Sequence, residues 1–179
     1  MIEGIRKSVG MKLAGWRLRK LKQQEIHFTE AISRARSILV VLPLRSTNVE
    51  PMKPFIDILP KKFASAKFTF VTPMHGVELI RMLPPGKFIE LVETDVSSFF
   101  FPRPSFVDRI ANPPVDVAID LNLDFQLPSG YICRKSGAGV TVGFASPYAD
   151  VFYNLVVRTS PGADQRDMYR RLAACLEMF

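Results

Sequence analysis

A chain of 179 residues, 47% hydrophobic and 23% charged, is one globular domain; two cysteines are too few for a disulfide framework, and no apolar run reaches the roughly 18 to 20 residues that a membrane-spanning helix needs. The formal net charge of +7 points toward nucleic acid until it is located: residues 1–24 hold seven Lys or Arg against Glu3, so the other 155 residues carry 17 basic and 16 acidic side chains and are nearly neutral. Without a signal-peptide pattern at the start, a cytoplasmic, reducing location is expected.

In residues 1–24 the spacing of Ile2, Ile5, Val9, Leu13 and Trp16 predicts one apolar helical face, with most of the cations elsewhere around a basic amphipathic helix. Three readings of this leader stand. It packs on its own domain with its charges solvated, or it lies in an anionic membrane interface on the inner face of the membrane, or it meets a protein or nucleic-acid partner. The contact residues in the last two are Arg6, Lys7, Lys12, Trp16, Arg17, Arg19 and Lys20. Nucleic acid is disfavoured, because the neutral remainder offers no basic track. A second short helix is expected over 25–35.

Ile38, Leu39, Val40, Val41 and Leu42 form an unbroken apolar run ended by Pro43, which predicts a strand buried on both faces and central in its sheet. A polar loop follows, then a helix over 55–63. In open α/β sheets the loop leaving a strand's carboxyl end meets the ligand, which makes Arg45, Thr47 and Asn48 candidate cleft residues. No glycine occurs from 42 to 63, so neither a dinucleotide fingerprint nor a phosphate-cradling loop is present.

Further strands at 67–71, 88–92, 115–121 and 140–144 alternate with helices at 76–83, 105–112, 125–136 and 164–179. This alternation is the pattern of an α/β fold, a Rossmann-like doubly wound parallel sheet of five or more strands. Residues 1–36 are then a helical leader and 37–179 a single domain. Residues 148–157 read as aromatic and irregular. In SSFFFPRP the prolines forbid regular structure, and Phe99, Phe100 and Phe101 either pin a loop into the core or form an exposed contact patch.

His27 and His75 are the only histidines and stand far from any cysteine or carboxylate cluster, so neither a metal nor another cofactor is expected. His75, after a strand end, lines a cleft or occupies a turn. Cys133, beside Arg134 and Lys135, is either an activated thiol or a buried inert one. Glu93 and Asp95 follow the third strand, Asp120 and Asp124 the fourth. At such ends a carboxylate can accept a hydroxyl proton or bind sugar hydroxyls, although Asp120 could instead cap backbone N–H groups.

The order RSILVVLPL, KFTFVTP, FIELVE, VDVAIDLN, VTVGF and DVFYNLVV, with Phe152, Tyr153 and Asn154 in place, resembles the N-terminal domain of glycosyltransferase family 9, the lipopolysaccharide heptosyltransferases. The resemblance covers 37–179. It implies the acceptor-binding half of a two-domain enzyme, without the donor-binding half. It also implies that Thr47 and Asn48 occupy the place of a Gly-Asp pair whose carboxylate is the family's proposed general base, a role an amide cannot fill near neutral pH. The expectation is a non-catalytic glycosyltransferase-like subunit that binds a protein partner, a second copy or a membrane surface. The alternative is an acceptor-binding half-enzyme completed by a separate donor-binding chain.

Overall fold

The apolar run after Arg36 forms β1 (Ser37–Val41), paired in parallel with β2 (Lys67–Pro73) on one side and β4 (Val117–Asp120) on the other. Ile38 and Val40 enter one core cluster, Leu39 and Val41 the other, so the strand is apolar throughout because both of its faces are covered. With β3 (Gly86–Leu91), β5 (Val140–Phe144) and β6 (Leu155–Val157) the sheet is six-stranded, all parallel, in the order β3-β2-β1-β4-β5-β6. The computed structural model describes residues 2–18, 25–45, 48–73 and 77–179.

Helices α2 (Phe28–Ser33), α3 (Lys53–Ile56), α4 (Leu59–Lys62), α5 (Val77–Met82) and α9 (Gln165–Glu177) contribute to one core cluster. The other face is covered by α1 (Ile2–Leu18), α6 (Pro104–Ala111), α7 (Leu127–Lys135) and α8 (Ala149–Phe152). The strand order reverses between β1 and β4, and in a doubly wound sheet the ligand crevice lies outside the carboxyl ends of the strands at that point.

Three local expectations need correction. The helix expected over 55–63 is two short ones, because Pro60 has no N–H to donate and its ring excludes the carbonyl of Ile56, where α3 stops. Residues 148–157 are regular, forming α8 and the edge strand β6, a segment too short for its period to show. The third correction concerns α1: among its described residues Gly10, Met11, Ala14 and Leu18 are buried, whereas Val9 and Leu13 are exposed. At about 100° per residue these sets lie on opposite sides of the helix. The helix therefore docks through small residues, and a Cβ at Gly10 would stand only 2.6 Å from the Phe99 carbonyl and 2.9 Å from Leu127 Cδ2. The side chains of Ile2, Ile5, Lys7, Trp16 and Arg17, together with Arg19 and Lys20, lie outside the described residues.

Candidate functional site

At the carboxyl end of β4 the chain reads Asp120, Leu121, Asn122. Asn122 joins this end to that of β1: its Oδ1 accepts from Leu44 N at 2.9 Å, and its Nδ2 donates to Leu42 O at 3.3 Å and to Asp120 Oδ1 at 2.7 Å. Asp120 Oδ1 also accepts from Asn122 N at 2.9 Å, while Oδ2 accepts from Tyr153 Oη at 2.5 Å. Both carboxylate oxygens are thus occupied, and the residue is 1% exposed.

Burial raises the Asp120 carboxyl above its usual 3.8, against the pull of its hydrogen-bond donors. Burial, with the Asp120 charge second, pushes the Tyr153 phenol well above 10.0, so it stays a donor. Cys133 is fully buried and its thiol is pushed well above 9.0 by burial and then by Asp120. Of its two readings the inert one holds, since flanking cations in sequence do not offset removal from water.

Asp120 therefore does not face a cleft; it is a structural carboxylate that ties β4 to its own following turn and to Tyr153. Asp124 is exposed on the next loop, and Arg45 and Asn48 are exposed on the loop after β1. Asn48 Oδ1 accepts from Glu50 N at 3.3 Å, an Asx turn leading into a 3-10 turn. Thr47 and His75 lie outside the described residues.

Glu93 is exposed and Asp95 half-buried. Asp95 is 3.2 Å from Arg109 Nη2 and accepts from Val92 N at 3.3 Å. It lines an open groove of about 790 Å³ between β3 and α6, with Lys87, Glu90 and Arg109. Two strands, β2 and β1, stand between β3 and β4. At about 4.8 Å per strand the strand ends that carry the two carboxylate pairs are about 14 Å apart, wider than the spacing at which two carboxylates work on one glycosidic bond. Among the described residues no group of three His, Cys, Asp or Glu could hold a metal ion.

The SSFFF segment is a tight loop in which Ser97 N donates to Phe101 O at 2.8 Å and Phe101 N to Ser97 Oγ at 3.1 Å. Phe101 is buried edge-on against Tyr131, with ring centroids 5.1 Å apart, and Phe99 is exposed. Phe100 takes a left-handed φ of 65°, unusual for a bulky residue, which lets its two neighbours face opposite ways.

Three solved structures share this architecture. A glycosyltransferase family 9 protein of Veillonella parvula matches with a TM-score of 0.61 and 17% identity, over 87% of this chain and 43% of its own. The fold is that of a family 9 glycosyltransferase domain. The heptosyltransferase WaaC of E. coli matches in two states: with ADP at a TM-score of 0.58 and 17% identity, over 78% of this chain and 46% of its own, and with ADP-2-deoxy-2-fluoro heptose at 0.61 and 16%, over 80% and 49%. The chain thus spans less than half the length of each. No protein-family model and no curated relative matches the sequence.

The triplet Phe152, Tyr153 and Asn154 divides its roles between core and hydrogen bonds. Phe152 fills the core, Tyr153 binds Asp120, and Asn154 Oδ1 accepts from Thr141 N at 2.8 Å while its Nδ2 donates to Gly139 O at 2.8 Å, closing the β5–β6 connection. Asn122 and Tyr153 are absent from the sequence-derived cleft. The signal for Asn122 was available, a polar residue two past the last acid of an apolar strand.

Proposed function

We propose that this chain is a binding subunit built on a glycosyltransferase fold and that it transfers no sugar on its own. The observation that carries the reading is Asp120: the one carboxylate at the end of β4 itself, beside the β1–β4 crevice, is buried and has both oxygens engaged within the protein. The loop after β1 presents an amide, Asn48, where the family resemblance implies a base. The remaining strand-end acids are split between distant strands.

The test is transfer of labelled sugar from nucleotide donors, together with calorimetry of ADP, since ADP accompanies one of the solved neighbours. The expected result is no turnover, binding no tighter than millimolar, and no gain from Asn48→Asp. Turnover abolished by Asp120→Asn, Asp124→Asn or Glu93→Gln would overturn the reading.

A second reading is an acceptor-binding half-enzyme whose donor site comes from another chain. This chain matches 43–49% of the length of each solved neighbour. Turnover that appears only when a donor-binding chain is added back would select it over the first.

A further inference from the structure

Six large apolar side chains among the described residues are exposed: Val9 (38%), Leu13 (37%), Phe99 (42%), Tyr148 (46%), Val151 (37%) and Met178 (75%). Five of them lie on α1 or on segments that it packs against. Val9 and Leu13 lie on α1, Phe99 belongs to the loop whose backbone Gly10 abuts, Tyr148 precedes α8 and Val151 lies within it, and α1 packs against α8. This grouping follows from topology: the Phe99 loop leaves β3, Leu127 opens the helix after β4, and α8 follows β5, so α1 runs along the carboxyl-end connections of three strands.

The docking of α1 explains why its apolar stripe is left outside. Its inner face is Gly10, Met11, Ala14 and Leu18, which brings the helix axis close to the Phe99 backbone and turns Val9 and Leu13 away. Exposed Arg6 and Lys12 flank that stripe. Phe100 holds its left-handed φ in the loop that presents Phe99. Strain of this kind persists where surrounding structure over-determines it, and here its product is an aromatic ring in solvent beside an apolar, cationic helix.

Charge selects the occupant. Residues 1–24 carry a surplus of +6 while the rest of the chain carries +1, and of those cations the exposed Arg6 and Lys12 stand on either side of the apolar stripe. An apolar band flanked by Lys and Arg, with aromatic rings at its border, matches the interface of an anionic bilayer, where the rings sit at headgroup level. We infer that α1, Phe99 and the Tyr148–Val151 turn form one membrane-facing surface that seats the domain on anionic lipid with its carboxyl-end loops toward the headgroups. This rests on the binding-subunit reading and names its partner. The two failures are distinguishable: sugar transfer would overturn the binding-subunit reading, whereas loss of vesicle binding without any sugar transfer would overturn only the membrane-facing surface.

The experiment is co-sedimentation of the full chain with phosphatidylcholine vesicles, with and without phosphatidylglycerol, at low and high salt. Binding should require phosphatidylglycerol and retain a salt-resistant part. Arg6→Glu with Lys12→Glu should weaken it by at least about tenfold, through charge. Val9→Asp with Leu13→Asp should remove the salt-resistant part, and Phe99→Ser with Tyr148→Ser should weaken binding by about tenfold although both residues lie outside the leader. Circular dichroism and melting of each variant are measured alongside, because the Tyr148 ring also packs on Phe125, with centroids 5.8 Å apart, and a loss of binding counts only where the fold is retained. Binding indifferent to lipid charge, or equal for the Phe99 and Tyr148 variant, would overturn the inference. So would a dimer in light scattering that Val9→Asp with Leu13→Asp disperses, which would give the surface to a second copy.

Discussion

Tyr153 Oη donates to Asp120 Oδ2 across β5, and this contact exists because residue 143, on the strand between them, has no side chain. A Cβ at Gly143 would lie 2.5 Å from Tyr153 Cε2 and 2.6 Å from both Cδ2 and Cζ. Gly143→Ala should therefore destabilise by about 1–3 kcal/mol through overpacking, and more if the ring is driven off Asp120 and leaves a buried acceptor unpaired. Tyr153→Phe removes only the hydrogen bond and leaves the ring, so it should not rescue Gly143→Ala; Tyr153→Ala should show a favourable coupling with it. Additive losses in that double-mutant cycle, measured by chemical denaturation, would refute the packing argument.

Asp120 makes a signed prediction about pH. Its folded-state carboxyl titrates above 3.8 because it is buried, while in the unfolded chain it returns to the ordinary value. Between the two the native state holds a proton that the unfolded state has released, so this residue's contribution to stability falls as pH rises through that window. Asp120→Asn deletes the titration. The melting temperature of the variant minus that of the parent should therefore climb from about pH 4 upward and then level off. A difference curve that is flat or declines would show that the donors around Asp120 outweigh its burial.

How much of this was legible in the sequence depends on how local the cause is. The central position of β1 could be read from Ile38 to Leu42 alone, since burial on both faces removes the polar alternation from the strand itself. The cap of α9 is equally local: Asp164 accepts from Asp167 N, three residues on, at 2.7 Å. The burial of Asp120 was not, because it depends on Tyr153, 33 positions away, and on the absence of a side chain at Gly143. The docking face of α1 was not legible either, because periodicity weights residue size, whereas close helix packing selects Gly10 and Ala14. Chain order located the strand-end acids, but only the strand order shows that those of β3 and β4 stand apart.

The docking of α1 can be tested with its two glycines as mutual controls. Both Gly10→Ala and Gly15→Ala should gain up to about 1 kcal/mol of helix propensity. A Cβ at Gly15 meets nothing within 4 Å, whereas one at Gly10 meets a backbone carbonyl that cannot swing aside. Gly15→Ala should then stabilise, while Gly10→Ala should lift α1 from the Phe99 loop and raise amide exchange in residues 2–18 with little change in β1. Parallel gains in both variants would mean that α1 rests on the domain less closely than described.

The most discriminating substitution is at Asn122, because its two ends face opposite partners. Nδ2 points at two acceptors, Asp120 Oδ1 at 2.7 Å and Leu42 O at 3.3 Å, while Oδ1 accepts from Leu44 N at 2.9 Å. Asn122→Ala removes all three bonds and should cost about 2–3 kcal/mol, rising gently with pH because the charged form of Asp120 loses a donor. Asn122→Asp keeps the shape and the bond from Leu44 but sets a second carboxylate against the first, with no water to screen it. Two such groups cannot both ionise at that distance, so the folded pair must bind a proton that the unfolded chain releases. Stability of Asn122→Asp should accordingly be close to that of the parent near pH 3 to 4 and fall steeply above it, losing about 3–5 kcal/mol by neutral pH. The pair of denaturation series against pH decides the matter. If Asn122→Asp follows the shallow curve of Asn122→Ala, the amide does not face Asp120, and the joint between β1 and β4 is held in some other way.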